Sequence, residues 1–314
     1  MTDRPVLAID IGGTKLAAAL VDQDGGLRRR QVVATGVVDA EAREALWQRV
    51  VSLVESVADD VEIAGVGVGC GGPMHWPAGD VSPLNIPAWR EFPLRARLTA
   101  WFPDRPVRVH NDAIAMAVGE HWQGAGVGSS ALLGVVVSTG VGGGLVLGGR
   151  VIDGATGNAG HVGHVVADPA GPACACGGRG CLEAVARGPA VVQWALQHGW
   201  QPAEGQAVDG SGLAVAARAG DRVALQAFDR AGVALGVALA GAASLMELDT
   251  VAVGGGLAQA GELLLAPARR SFARHAGLEF AAVCRILPAA LGPDAGLIGA
   301  AALVLPELGY WGAD

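Results

Sequence analysis

Apolar residues follow two different periodicities along the chain, and their order predicts an α/β protein. Short apolar runs at residues 6–11 and 16–21 flank a glycine-rich turn, and residues 29–35 supply a third strand candidate. Between residues 40 and 58 apolar positions recur at helical spacing, which predicts an amphipathic helix. Strands are expected at 63–68 and 107–109, and a helix is expected at 113–122.

The second part of the chain repeats this order of strands and helices. Apolar runs within residues 131–147 predict strands, helical spacing dominates 189–247, and a strand at 250–253 precedes a helix after residue 294. Residues 73–91 hold four prolines and predict an irregular loop. The repetition predicts two α/β lobes. The small lobe is 1–112 with a C-terminal helix at about 295–314, and the large lobe is 113–294.

Charge and hydropathy limit the classes of function. The 314 residues include 22 basic and 30 acidic side chains, which gives a net charge of −8. No basic stripe is available for phosphate backbones or anionic lipids, so we expect neither nucleic-acid nor membrane binding. No uninterrupted apolar run reaches about 18 residues, the length that a membrane-spanning helix requires. Without a secretory signal pattern, the expected location is the cytoplasm.

Three glycine-rich turns that follow predicted strands are candidate phosphate-binding loops. Backbone N–H groups in such turns can point at phosphate oxygens, and a lysine adds positive charge. An aspartate at the end of the first strand could hold the Mg²⁺ of a nucleotide through water. Each turn can equally be a plain strand connection. The candidate ATP-binding residues are Asp10, Gly12, Gly13, Thr14, Lys15, Thr139, Gly140, Gly142, Gly143, Gly254 and Gly255.

Three cysteines and a histidine have the spacing of a structural zinc site. His164, Cys174, Cys176 and Cys181 form a Cys₃His set within the segment 161–183. Such a set binds Zn²⁺ tetrahedrally and leaves no open coordination position for chemistry. The alternative is a group of reduced, packed thiols beside a histidine.

An Asn-Asp pair after a predicted strand is the candidate for base catalysis. Asp112 could accept the proton of an attacking hydroxyl group, and Asn111 could hold an adjacent hydroxyl. The same pair also suits a helix N-cap. Asn85 and Glu183 are further candidates for substrate contact, although Asn85 also fits a turn and Glu183 fits the first turn of a helix.

The order of these motifs resembles the ROK family of repressors, open reading frames and sugar kinases. The resemblance runs from residue 6 to about 303 and includes Asp-Ile-Gly-Gly-Thr-Lys, Asn-Asp-Ala, Ser-Thr-Gly-Val-Gly-Gly-Gly and Cys-x-Cys-Gly-x-x-Gly-Cys-x-Glu. It implies a two-lobed, ribonuclease-H-like fold of the actin/hexokinase type, with ATP and a sugar bound in an interlobe cleft. It also implies that Asp112 is the catalytic base.

The resemblance implies an ATP-dependent kinase that phosphorylates the 6-hydroxyl of a hexose, of the glucokinase or N-acetylmannosamine kinase type. ATP, Mg²⁺ and a structural Zn²⁺ are the implied cofactors, and the expected assembly is a homodimer or homotetramer. The alternative is a ROK-type sugar-responsive regulator without kinase activity. Such regulators carry a DNA-binding domain before the first loop, for which the position of Asp10 leaves no room.

One position departs from the family's glucokinase pattern. Glucokinases of the family usually have Glu-x-Gly-His where this chain has His161-Val162-Gly163-His164. The variant resembles bacterial N-acetylmannosamine kinases, and it can equally be a variant within the glucokinase lineage. An imidazole offers one donor and one acceptor where a carboxylate only accepts. His161 is therefore expected to contact the sugar, with His164 serving both zinc and sugar. His161 can also simply pack against the zinc loop.

Overall fold

A computed structural model describes residues 4–37 and 39–311 as an α/β protein with two five-stranded sheets. Short apolar runs form the strands, as their composition predicts. The strands are β1 Val6–Ile11, β2 Lys15–Val21, β3 Leu27–Ala34, β4 Val66–Cys70, β5 Met74–His75, β6 Asp80–Val81, β7 Val107–Asn111, β8 Ala131–Val137, β9 Val141–Leu147, β10 Arg150–Val151, β11 Thr250–Gly254 and β12 Arg285–Pro288.

The helices lie between groups of strands along the chain. They are α1 Arg43–Ala58, α2 Leu94–Trp101, α3 Asp112–Gln123, α4 Leu182–Ala186, α5 Gly188–Gln197, α6 Gly210–Arg218, α7 Arg222–Met246, α8 Glu262–His275, α9 Glu279–Ala282 and α10 Ala295–Ala302. Four of them, α4 to α7, follow one another without an intervening strand. On α1 the buried residues include Leu46, Val50, Leu53 and Val57, which recur at helical spacing.

The two five-stranded sheets share one order of strands. The first sheet is β3-β2-β1-β4-β7 and the second is β10-β9-β8-β11-β12. In the first sheet β1, β4 and β7 run parallel, while β2 and β3 extend it as antiparallel neighbours. In the second sheet β8, β11 and β12 run parallel. The shared order is the repetition that the sequence pattern predicted.

Close packing of two helices explains how the chain groups into compact units. The first unit comprises residues 1–128, 144–160 and 293–314, and the second comprises 129–143 and 161–292. Helix α3 belongs to the first unit because it packs against α10, where a Cβ on Gly299 would meet the carbonyl oxygen of Ala115 at 1.7 Å. The units therefore differ at their edges from the predicted lobes 1–112 and 113–294, and the lobe boundaries stay a prediction.

Helix α7 bears on the expectation that the chain does not span a membrane. In the part of the chain that the structure describes, α7 is long and apolar enough, by length and composition, to cross a membrane. Most of its apolar window, 61%, is buried inside the protein, as in the core helix of a soluble domain. Polar residues interrupt the apolar run of α7, so it stays below the roughly 18 uninterrupted apolar residues on which the sequence expectation rests.

Several helices and strands were not expected from the sequence, and the longest of them is α8, between the predicted strand at 250–253 and the predicted C-terminal helix. Helix α2 lies after the proline-rich loop and begins without a side-chain cap. Strand β12 has four residues and ends in a proline, so its pattern is too short to predict a strand. The predicted irregular loop at 73–91 also contains the two-residue strands β5 and β6.

Candidate active site

Two carboxylates lie at the carboxyl end of the parallel strands of the first unit. The register places Asp10 of β1 beside Gly69 of β4. A Cβ on Gly69 would lie 3.5 Å from Asp112 Cα and 3.8 Å from Asp10 Oδ1, so the two aspartates lie on either side of this glycine. Carboxyl ends of parallel strands are where α/β proteins bind ligands.

The electrostatic environment of Asp10 favours its protonated form. Burial of this half-buried side chain, followed by the nearby charge of Asp112, raises the pKa of Asp10 to about 6, while Lys15 lowers it. A second positive charge beside Asp10, such as a bound cation, would favour the ionised carboxylate.

Asn85, in the loop after β6, lies close to Asp112 and to the glycines of two turns. A Cβ on Gly71 would lie 3.5 Å from Asn85 Oδ1 and 4.0 Å from Asp112 Oδ2, and one on Gly13 would lie 2.8 Å from Asn85 Nδ2. Asn85 thus lies between the first glycine turn and the Asp112 carboxylate. The turn at 69–73 is not among the three glycine-rich turns that the sequence pattern predicted to bind phosphate.

Asn111 and Asp112 begin helix α3. Asn111 is 8% exposed, and its Oδ1 accepts from the backbone N–H of Ala113 at 3.0 Å. Asp112 Oδ1 accepts from the same N–H at 2.8 Å, which restrains the carboxylate. The N-cap interpretation therefore holds for Asn111, and it orients the residue next to the candidate base.

Hydrogen bonds within the first glycine turn and from Thr35, which follows β3, stabilise this turn. The N–H of Gly12 donates to the carbonyl of Lys15 at 3.0 Å, which closes the turn. The hydroxyl of Thr35 donates to the carbonyl of Gly12 at 2.7 Å, and its N–H donates to the carbonyl of Thr14. The side chains of Thr14 and Lys15 are exposed. Thr35 is buried and was not singled out by the sequence analysis, because a lone threonine carries no pattern.

The second unit contains a cavity of about 600 Å³ next to the second glycine-rich turn. Thr139 is the one candidate ATP-binding residue among its lining residues. The cavity wall combines small residues with apolar helix faces, which suits a flat heterocycle. Its lining residues are Ser138, Thr139, Gly188, Pro189, Val192, Gln193, Leu196, Val208, Asp209, Gly210, Ser211, Gly256, Leu257 and Gln259.

The other candidate glycines of the second unit lie in or beside strands β9 and β11 and are not among the residues that line this cavity. Gly140 sits in a tight turn in which the N–H of Ser138 donates to the carbonyl of Gly140 at 2.9 Å. Gly142 and Gly143 are in β9, and Gly254 ends β11. Gly255 has φ +96°, and its Cβ would lie 2.5 Å from the carbonyl oxygen of Val137, so this position requires glycine.

Glu183 connects the cysteine-rich segment to the second glycine turn. Its Oε2 accepts from the N–H of Val141 at 2.8 Å, and a Cβ on Gly140 would lie 2.8 Å from the same oxygen. Glu183 also lies in the first turn of α4, which is the alternative position that the sequence predicted for it. The contact with Val141 joins residues 42 positions apart, which the sequence pattern could not reveal.

The four candidate zinc ligands come together in the second unit. One donor atom from each of His164, Cys174, Cys176 and Cys181 lies within 4.8 Å of all the others. Cys176 Sγ and Cys181 Sγ are 3.7 Å apart, and Cys174 Sγ is 3.8 Å from His164 Nδ1. Tetrahedral coordination with Zn–S bonds of about 2.3 Å gives S–S separations of roughly 3.7 Å, so the donor set fits zinc.

His161 lies beside His164 on the exposed side of this segment. The two rings are nearly parallel, at 16°, with their centroids 6.3 Å apart. Both side chains are exposed, while Val162 and Gly163 between them are buried. The two imidazoles therefore face the same side of the short 3₁₀ turn 162–164.

Comparison with known proteins identifies the family of the chain. The model of the ROK family matches residues 6–307. The chain belongs to the ROK family. The glucokinase of Thermotoga maritima is 34% identical to it over 97% of this chain and 98% of its own length. The N-acetylmannosamine kinase of Escherichia fergusonii is 41% identical over 59% of this chain and 62% of its own length.

A solved structure of the ROK family supports the fold. The ROK family glucokinase from Streptomyces griseus, solved in complex with glucose and AMPPNP, is 35% identical with a TM-score of 0.83. The match covers 96% of this chain and 99% of that chain. The predicted family and the α/β fold of the actin/hexokinase type are confirmed.

Proposed function

We propose that this ROK protein transfers the γ-phosphoryl group of ATP to the 6-hydroxyl of a hexose, with Asp112 as the general base. One observation carries the proposal: Asp112, Asp10 and Asn85 surround the glycine turn at 69–71 at the carboxyl end of β1, β4 and β7. The named relatives, a glucokinase and an N-acetylmannosamine kinase, support the class of reaction.

The geometry of Asp112 suits base catalysis. Its Oδ1 is held by the N–H of Ala113, while its Oδ2 lies on the side of Gly71 and Asn85. In the proposed reaction the sugar hydroxyl oxygen forms a bond to the γ-phosphorus, its proton passes to Asp112, and ADP leaves. Asn85 and Asn111 would bind neighbouring sugar hydroxyls, since amides both donate and accept.

We place the adenosine part of ATP in the 600 Å³ cavity beside Thr139. In the first unit, the backbone N–H groups of the first glycine turn, the Thr14 hydroxyl and the Lys15 ammonium group are our candidates for phosphate binding. In the second unit, the backbone N–H groups of the second glycine turn are candidates for the same role. Asp10 would hold Mg²⁺ through water, as its oxygen donors and its position next to Asp112 allow. A bound Mg²⁺ supplies charge neutralisation for the transferred phosphoryl group.

Zinc would have a structural role in this protein. With His164 Nδ1 and three thiolates as ligands, the coordination shell is closed. The Nε2 atom of His164 would then bind a sugar hydroxyl, and Glu183 would bind the sugar with the carboxylate that also holds Val141 N–H.

His161 is our candidate for choosing the sugar. Its ring lies on the same side as that of His164 and is exposed. An imidazole N–H can donate to the carbonyl of a 2-acetamido group, which a glutamate at this position could not do. We therefore propose that the enzyme accepts an N-acetylhexosamine such as N-acetylmannosamine.

A coupled ADP-release assay with ATP and Mg²⁺ tests the proposed function. Glucose, N-acetylmannosamine, N-acetylglucosamine and mannose are compared, and at least one of them should give sugar-dependent ADP formation. Folded protein that is silent with every sugar would contradict the kinase and favour a sugar-responsive regulator.

We also propose a cytoplasmic location, where ATP is available, and a homodimeric or homotetrameric assembly. These two statements stay predictions from the family resemblance. Light scattering coupled to size-exclusion chromatography measures the assembly directly.

A further inference from the structure

A fully buried histidine stands immediately before the Asn111–Asp112 pair. His110 is the last but one residue of β7, and its side chain has 0% exposure. Its Nε2 lies 2.7 Å from Asp153 Oδ1, in the loop that follows β10. None of the functions proposed above uses this histidine or this aspartate.

The hydrogen bonds of His110 determine where its ring carries a proton. The backbone N–H of Asn111 donates to His110 Nδ1 at 2.8 Å. An amide N–H can only donate, so Nδ1 must be the unprotonated nitrogen. The ring proton is therefore on Nε2, which donates to the Asp153 carboxylate. Asp153 thus selects the tautomer that can hold the backbone of Asn111.

Aromatic side chains hold the ring of His110 in place. Trp76 packs on it with centroids 4.6 Å apart, and Trp311 contacts its edge at 5.9 Å. Trp76 and Trp311 also contact each other at 4.7 Å. The imidazole therefore has little freedom to rotate away from Asn111 and Asp153.

The loop that carries Asp153 is itself attached to the same unit at several points. The N–H of Ile152 donates to the carbonyl of Leu145, and the N–H of Ala159 donates to the carbonyl of Asp153, both at 3.0 Å. Gly157, with φ +77°, lies so close to Trp76 that a Cβ would be 2.6 Å from the Cβ of the tryptophan. The Asp153 carboxylate is thus a fixed partner for the ring.

We propose that the His110–Asp153 pair is a positioning device that sets the backbone, and hence the carboxylate, of Asp112 for proton abstraction. The chain of contacts runs from Asp153 through both ring nitrogens of His110 to Asn111 N–H, one peptide unit before Asp112. Asn111 and Asp112 share the N–H of Ala113, so a shift of this backbone moves both side chains. The inference rests on the proposed function, because it assigns Asp112 the role of base.

Asp153 offers a matched pair of variants. Asn at this position keeps an oxygen that accepts from Nε2–H, whereas Ala removes the acceptor. Because Asp153 is 35% exposed, both variants are expected to fold. Asp153→Ala should lower kcat about tenfold or more while the KM of the sugar changes less than about threefold. Asp153→Asn should restore kcat to within about threefold of the wild type.

A destabilising variant of the same unit controls for general loss of structure. Val50 is a fully buried residue of α1 in the hydrophobic core. Val50→Ala should lower the melting temperature and leave kcat of the folded enzyme unchanged. If Val50→Ala lowers kcat as much as Asp153→Ala at equal stability, the effect is a structural one and the proposal is wrong.

Nitrogen NMR of histidine-labelled protein gives a readout that does not depend on activity. The signals of His110 should show an unprotonated Nδ1 and a protonated Nε2 in the wild type, and should change in Asp153→Ala. A protonated Nδ1 in the wild type, or wild-type kcat in Asp153→Ala, would overturn the proposal. Absence of sugar-dependent ADP formation in the wild type would instead refute the proposed function and leave the NMR result standing.

Discussion

The carboxylate site of the first unit and the cysteine site of the second unit are built in different ways. Asp10 and Asp112 are positioned by parallel strands in fixed register, with glycines at the point of closest approach. The cysteines lie in a segment whose regular structure is limited to a 3₁₀ turn and the helix that follows Cys181. The strands of a regular sheet position the first site, whereas turns and two isolated bridges, 166–181 and 173–179, position the donor atoms of the second.

This difference means that the two sites should fail in different ways. Removing a carboxylate from a sheet edge removes chemistry and leaves the strands paired. Removing a thiolate from a metal loop removes the constraint that folds the loop, because zinc binds the folded and not the unfolded segment. Variants in the two units therefore separate catalysis from stability.

The largest expected effect is that of Asp112→Asn. The amide cannot accept the sugar proton, so kcat should fall by roughly 10²- to 10⁴-fold. The melting temperature should stay near that of the wild type, because Asn keeps an acceptor for Ala113 N–H. Steady-state kinetics and sugar binding by calorimetry measure the two quantities. Turnover close to that of the wild type would leave Asp112 with only its role at the start of α3.

Cys176→Ser should affect stability more than chemistry. We expect one zinc per wild-type chain and a large loss of zinc in the variant, with a melting temperature lower by about 5–10 °C. Elemental analysis and thermal unfolding measure these values, and Cys284→Ser is the matched control because Cys284 lies outside the cluster. Reduced wild-type protein without zinc would show that the thiols are merely packed.

The sequence predicted the local features of both sites. The strand-end glycine turns and the Cys₃His spacing are local signals, so Asp10, Asp112 and the four donor residues could be found without a structure. Contacts between residues that are far apart in the sequence could not be predicted. The pairs His110–Asp153 and Glu183–Val141 are 43 and 42 positions apart, and neither has a periodic pattern.

The residues that line the cavity of the second unit could likewise be predicted only where they carry a local sequence signal. Thr139 was expected from the glycine turn, but the cavity also needs residues from α5, from the start of α6 and from the turn after β11. Their positions depend on how the helices pack against the sheet. Helix α2 was missed for a local reason, since a proline-rich loop precedes it and no side chain caps it.

His161→Glu tests the sugar preference that we propose for the second unit. A hydrogen bond that the bound sugar shields from water, with one partner left unpaired, is worth about 1–3 kcal/mol, which corresponds to roughly a 5- to 150-fold change in relative kcat/KM. The variant should shift this ratio from N-acetylmannosamine toward glucose. Competing the two sugars in one assay measures the shift. An unchanged ratio would show that His161 only packs beside the zinc loop.

The smallest expected effect is that of Asp10→Asn on the free energy of unfolding, measured without Mg²⁺. The pKa of Asp10 is about 6 in the folded protein, against 3.8 as its ordinary value. The folded state therefore binds its proton more tightly, and this stabilisation is present below about pH 4 and is lost as the pH rises through about 6. At pH 7.5 the variant should be more stable than the wild type by about 1–2 kcal/mol, and near pH 4 the two should be equal.

Urea unfolding at both pH values measures the difference for Asp10→Asn. Asp209→Asn is the control whose stability should depend on pH with the opposite sign, because hydrogen bonds from Ser211 and Gly212 lower the pKa of Asp209. The stabilisation by the Asp209 carboxylate is therefore lost as the pH falls. If the free energies of unfolding of the Asp10 variant and the wild type change equally with pH, burial does not raise the pKa of Asp10.

Identification of the reaction product tests the central claim most directly. Protein, ATP and Mg²⁺ are incubated with N-acetylmannosamine or glucose, and with 6-deoxyglucose as the matched sugar without the acceptor hydroxyl. Phosphorus and proton NMR then identify the phosphorylated carbon. The account predicts ADP and a hexose 6-phosphate in equal amounts, and no transfer to 6-deoxyglucose. Phosphate on another carbon, or ADP formation that does not depend on the sugar, would contradict it.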